Sequence, residues 1–139
     1  MSFKFRLEKV LRVRRLEEDQ ARDRLLCRQK ELKVAEGQLK QLRNERSEIA
    51  QFGYAQSDLV LRAAMYKYLE RLDDRILKQS QVVADCQTKL AEAQDQWLDA
   101  RRKKEVLEKL REKRFNEYRR EEERALQKVL DDMGSRVRA

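Results

Sequence analysis

The chain has 139 residues, 43% of them charged, with 34 Lys and Arg against 26 Asp and Glu for a net charge of +8. It holds no histidine, no proline and only three glycines, and aromatic residues make up 6%. Such a composition excludes a large globular core, a strand-and-turn architecture and histidine-based catalysis or zinc binding, leaving long helices or disorder.

Hydrophobic periodicity decides for helices. The first, predicted over about 3–51, carries a seam in alternating steps of four and three: Leu7, Leu11, Arg14, Glu18, Ala21, Leu25, Arg28, Leu32, Ala35, Leu39, Leu42, Arg46 and Ile49. This is the 3.5-residue repeat of a coiled coil. Val10, Val13 and Leu16 are expected to thicken the apolar side, and Gly37, off the seam, reads as a surface glycine. The stretch Gln51 to Ser57 then interrupts the pattern as the one turn, predicted over about 52–57, with Gly53 as a positive-φ helix cap and Ser57 as the N-cap of the next helix. Phe52, Tyr54, Tyr66 and Tyr68 exceed what one seam can hold beside this turn, so they form a candidate partner-binding tip.

A second helix is predicted over about 58–132, with its own seam at Met65, Leu69, Leu72, Ile76, Gln79, Val83, Cys86, Leu90, Ala93, Trp97, Ala100, Lys104 and Leu107. A short turn makes the two helices antiparallel neighbours. Laid head to tail, Ile49 faces Met65, Leu39 faces Ile76, Leu25 faces Leu90 and Leu7 faces Leu107. Polar layers fall at Arg46–Leu69, Arg28–Cys86, Glu18–Trp97, Arg14–Ala100 and Leu11–Lys104. The fold class is therefore all-α, a single antiparallel coiled-coil hairpin whose second helix overhangs the first. Cys27 and Cys86 come close in this register and are expected to be reduced, half-buried thiols. Past Leu107 the apolar positions change phase to Leu110, Phe115, Tyr118, Ala125 and Val129, and the overhang is read as having no intrachain partner. Met133-Gly134 is the expected helix stop, with 134–139 frayed.

Charge is uneven. Residues 1–15 hold six Lys or Arg against one Glu, and residues 101–120 hold ten against four acids. In a hairpin these segments meet at the open end, where Arg6, Lys9, Arg12, Arg14, Arg101, Arg102, Lys103, Arg111 and Arg114, with Tyr118, suit docking into an acidic collar or ring. No catalytic constellation, glycine-rich phosphate loop or metal-ligand cluster is present, so neither enzyme activity nor a cofactor is expected. No apolar run approaches the 18 residues of a membrane span and the first residues lack a signal-peptide core, so the expected compartment is the cytoplasm. Other readings are a parallel coiled-coil dimer acting as a spacer, a basic nucleic-acid-binding rod, and membrane-surface binding by the first 16 residues.

Three segments carry a family resemblance: Phe3-Lys4-Phe5-Arg6-Leu7-Glu8-Lys9-Val10-Leu11 with Arg14 and Glu17-Glu18; Tyr66-Lys67-Tyr68-Leu69-Glu70-Arg71-Leu72; and Lys104-Glu105-Val106-Leu107-Glu108-Lys109-Leu110 through Tyr118 to Gln127-Lys128-Val129-Leu130-Asp131-Asp132. In order and spacing they resemble the FliJ family of flagellar type III export. The resemblance implies a non-enzymatic, monomeric stalk similar to the gamma subunit of rotary ATPases, placed at the cytoplasmic face of the inner membrane near the flagellar basal body. The implied partners are the ring of the export ATPase FliI, whose assembly and activity it promotes through the basic end, the export gate protein FlhA, and export chaperones, with no specific nucleic acid. Gate-facing positions of the family fall at Gln38, Leu42, Tyr68, Leu72 and Gln79; Glu45 and Ile49 stand where the pattern carries aromatics, and Leu42 and Leu72 also belong to the seam. The stalk family of injectisomes shares the architecture.

Overall fold

In the computed structural model, residues 2–138 form two α-helices, α1 (Glu8–Ala55) and α2 (Leu59–Arg138), and no strand. The fold is all-α, two long helices packed against each other as a hairpin. The helix ends are set locally. The Glu8 amide donates to the Phe5 carbonyl at 3.2 Å, closing a turn before α1, and the Glu8 carboxylate lies at the positive end of the helix dipole. Ahead of α2 the capping residue is Asp58 rather than Ser57: its Oδ1 accepts a 3.0 Å bond from the Val60 amide.

Three expected helix boundaries move, two of them at glycines. α1 continues through Gly53 to Ala55, and no glycine among the described residues has a positive φ. Gly53 is a buried position that extends the α1 seam one step beyond Ile49; a Cβ there would lie 3.5 Å from Met65 Sδ and 3.8 Å from Met65 Cβ. Both are ordinary van der Waals distances, so the position serves no turn and has room for a methyl group. Likewise α2 runs through Gly134 to Arg138. A helical glycine costs about 1 kcal/mol without forbidding the helix, and Arg136 and Arg138 complement the negative end of the dipole.

The chain packs as two compact units, Met1–Gln20 with Leu98–Ala139, and Ala21–Trp97. Every seam position named above is buried or half-buried, in both helices, because a two-helix interface hides one narrow stripe per helix. Val10, Val13 and Leu16 lie off that stripe and are exposed, as is Cys27. In the Ala21–Trp97 unit, Ala35, Leu39 and Val83 form the core, with Leu32, Ile76 and Cys86 packed against it. Leu72 is the most completely enclosed leucine of this unit, at 0% exposure. Gln79 occupies a seam position without an unmet hydrogen bond: its Nε2 donates to the Ala35 carbonyl at 3.0 Å and to Gln38 Oε1 at 3.2 Å. Arg46, also on the seam, turns outward to pair with Asp73.

In the other unit Leu11 is wholly enclosed and Glu18 is buried, with Lys104 Nζ 4.0 Å from Glu18 Oε2. Two polar seam residues assigned to separate layers thus meet each other. Arg111 Nε donates to Glu8 Oε2 at 3.1 Å, and Arg15 Nε to Glu108 Oε1 at 3.5 Å. Since α1 starts at Glu8, α2 beyond Arg111 has no helix opposite. Residues 3–7, expected to open α1, are instead non-helical and lie along α2, with the Phe3 ring against Phe115 and Tyr118.

Candidate functional site

The basic residues converge within one unit. Met1–Gln20 with Leu98–Ala139 holds twenty of the 34 Lys and Arg and fourteen of the 26 acids, a net charge of +6 out of +8. All ten residues expected to form the basic docking end lie here. Arg6, Lys9, Arg12, Arg101, Arg102, Lys103 and Arg114 are exposed, whereas Arg14, Arg111 and Tyr118 are half-buried. Several carry an acidic partner: Arg14 pairs with Glu17 at 3.0 Å, Arg101 with Glu105 at 2.9 Å, Lys103 with Asp99 at 3.7 Å and Arg114 with Glu117 at 3.9 Å. These are short-range pairs on helix surfaces, worth a few tenths of a kcal/mol each, so a partner's carboxylates can replace them at little cost.

Around Phe3 the surface has a built feature that sequence reasoning missed. The ring packs edge-on to Phe115 with centroids 5.3 Å apart and tilted against Tyr118 at 5.6 Å, while the Arg111 guanidinium sits 5.9 Å from its centroid. A cleft of about 560 Å³ opens beside it, lined among others by Phe5, Leu7, Leu110, Arg114 and Tyr118. The Tyr118 hydroxyl donates to Glu122 Oε1 at 2.6 Å, and that bond, which the neutral phenol alone can donate, raises its pKa. A signal was present in the alternation of Phe3, Phe5 and Leu7 with Lys4 and Arg6, a period of two that no helix seam uses.

The five positions that the resemblance assigned to the gate lie in the Ala21–Trp97 unit and separate into two kinds. Gln38 and Tyr68 are exposed, Leu42 and Gln79 half-buried. Tyr68 Oη donates to Glu45 Oε1 at 2.6 Å, which raises the phenol's pKa, and Gln38 and Gln79 form one amide pair. Leu72 is removed from this set, because a side chain with no exposed surface packs the core and presents nothing to a partner.

The turn region is more apolar than its aromatic residues alone suggest. From residue 49 to residue 66, in a chain 43% charged, only Asp58 and Arg62 carry charge. Phe52, Tyr54, Leu59, Val60, Leu61 and Tyr66 are all exposed there, Val60 at 81%. Three successive aliphatic residues at the start of α2 cannot all face one seam, and that is the sequence signal for the larger patch.

The sequence profile of the flagellar FliJ protein family matches residues 3–138. The chain belongs to the FliJ family. That makes it a component of the flagellar, type III export machinery, in a family of non-enzymatic export proteins. Among solved structures, the FliJ chain is similar to a YscO homolog, CT670, from Chlamydia trachomatis, with a TM-score of 0.69 and 18% sequence identity over 96% of this chain and 94% of that one. At that identity the likeness speaks for the fold. No curated protein sequence matches significantly. Among the described residues no helix is long and apolar enough to cross a membrane, and no group of His, Cys, Asp or Glu could hold a metal ion.

Proposed function

We propose that this FliJ-family chain is the stalk and assembly factor of an export ATPase, with the unit that joins the two chain termini as its docking end. The observation that carries the reading is the +6 net charge of that unit, set on a stretch of α2 that continues past the start of α1. A helix with exposed cations and no helical partner can enter an acidic, ring-shaped opening without displacing another helix. Arg6, Lys9, Arg12, Arg101, Arg102 and Lys103 steer the approach; Arg14, Arg111, Arg114 and Tyr118 make the closer contacts. Docking favours ring formation by the ATPase FliI and its nucleotide cycling.

The Ala21–Trp97 unit supplies the second contact, toward the export gate protein FlhA, through Gln38, Leu42, Tyr68 and Gln79 and the apolar patch at the turn. Export chaperones are further partners, and the protein works as a monomer at the cytoplasmic face of the inner membrane. ATP hydrolysis by the cognate export ATPase, measured with the full chain and with a version ending at Leu107, tests the docking end. Stimulation by the full chain and none by the truncated one is the expected result. No stimulation by a full chain that is helical by circular dichroism overturns the reading.

The likeness to a YscO homolog supports a second placement, as the stalk of an injectisome rather than a flagellum. Restoration of swimming in a strain lacking its own FliJ separates the two.

A further inference from the structure

Arg111 and Tyr118 are two of the residues assigned to the ATPase contact, and Phe3, in the segment 2–6 of the same chain, packs against both. Phe3 fills the angle between Phe115 and Tyr118 beneath the Arg111 guanidinium, and Phe5 and Leu7 line the same cleft with Arg114. Residues 2–6 are not part of a helix and are joined to α1 by the backbone bond from the Glu8 amide to the Phe5 carbonyl, whereas Leu7, whose carbonyl accepts from the Leu11 amide at 2.9 Å, stays with α1. The segment is therefore held on α2 by side chains, chiefly one aromatic ring, and can leave without breaking either helix.

We infer that residues 2–6 are a removable strap that covers the docking face in the free protein and is displaced when a partner's apolar or aromatic side chain takes the place of Phe3. This rests on the docking reading above. The strap keeps an apolar, cationic face of α2 from engaging before the ring presents itself, and its release uncovers Arg111, Phe115 and Tyr118 together. Lys4 and Arg6, exposed in either state, travel with it toward the partner's carboxylates.

The test compares the full-length chain with Phe3→Ala and with Phe3→Tyr, which keeps the ring. Trypsin cleavage after Lys4 and Arg6 reports strap docking without any partner. Phe3→Ala should cleave at least threefold faster there with unchanged helicity, while Phe3→Tyr should match the parent. Equal cleavage of all three proteins overturns the strap. Affinity for the cognate export ATPase, measured in parallel, should tighten at least threefold in Phe3→Ala alone. Faster cleavage with unchanged or weaker affinity means that the segment does not restrain docking, and overturns its role. If neither the parent nor Phe3→Ala binds the ATPase, the docking reading itself fails, a result that the cleavage rates keep distinct from failure of the strap.

Discussion

Glu18 and Lys104 meet between α1 and α2, the carboxylate 2% exposed and 4.0 Å from an ammonium that keeps 21% of its side chain in solvent. The pair joins two seam positions where aliphatic residues would pack, so removing one charge and removing both have opposite consequences. Lys104→Met removes the ammonium 4.0 Å from a buried carboxylate and should cost about 2 kcal/mol, discounted from a fully buried pair because Lys104 is partly solvated. Adding Glu18→Leu should restore or exceed the parent's stability. Urea midpoints of the three proteins check this. A Lys104→Met midpoint equal to the parent's removes the pair from the stability of the fold.

Adjacent leucines separate packing from propensity. Leu25 is 9% exposed on the seam and Leu26 49% exposed beside it. Leu25→Ala should cost about 2–4 kcal/mol and Leu26→Ala less than about 0.5, since helix propensity barely changes. Equal thermal shifts for both variants would contradict the observed seam.

The two interior glycines of α1 should both gain from alanine, for different reasons. Around Gly37 nothing lies within 4 Å of an added Cβ, so Gly37→Ala should stabilise by about 1 kcal/mol through backbone entropy. At Gly53 the new methyl meets Met65 at ordinary contact distance, 3.5 Å to Sδ, and the gain should be of similar size. Loss of stability in Gly53→Ala, read from the melting temperature, would mean that the helices need to approach more closely there than an alanine allows.

Tyr68 links stability to alkaline pH. Its hydroxyl donates to the Glu45 carboxylate, so the folded phenol titrates above its ordinary value of 10.0. A group raised on folding contributes stability that is present in full below 10.0 and is lost as pH climbs through the higher folded value. The 295 nm titration of the parent minus that of Tyr68→Phe should therefore centre above 10.0, and Glu45→Gln should bring it back down. A midpoint at or below the ordinary value denies the hydrogen bond in solution.

What was legible in advance followed from period. Leu11, Leu25, Leu39, Leu72 and Val83 repeat every 3.5 residues, and a two-helix interface has no other way to hide them, so fold class and inward face could be read together. The non-helical course of residues 2–7 was masked, because Phe3 and Leu7 also satisfy helical spacing and so hide the two-residue alternation of Phe3, Phe5 and Leu7. Gly53 misled by its type: glycine near a turn usually takes a positive φ, and here it continues the helix without one. Leu72 misled by position, since a family pattern places it toward a partner while its own packing encloses it. Function was legible only at the level of the family and the clustered charge. The strap over Tyr118 joins residues more than a hundred positions apart, and no period encodes that.

No side chain from residue 119 to residue 138 is buried or half-buried, so that stretch of α2 takes nothing from tertiary packing. Its support comes from within one turn, as where Gln127 donates to Asp131 at 3.1 Å. A helix of about twenty residues kept up by its own ladder has a helix–coil equilibrium of its own. Amides there exchange by local fraying, those around Leu72 only when both helices come apart. One unbroken helix thus melts in two ways: the packed part all at once, the last part residue by residue from its end. How far α2 extends at a given moment is a matter of temperature.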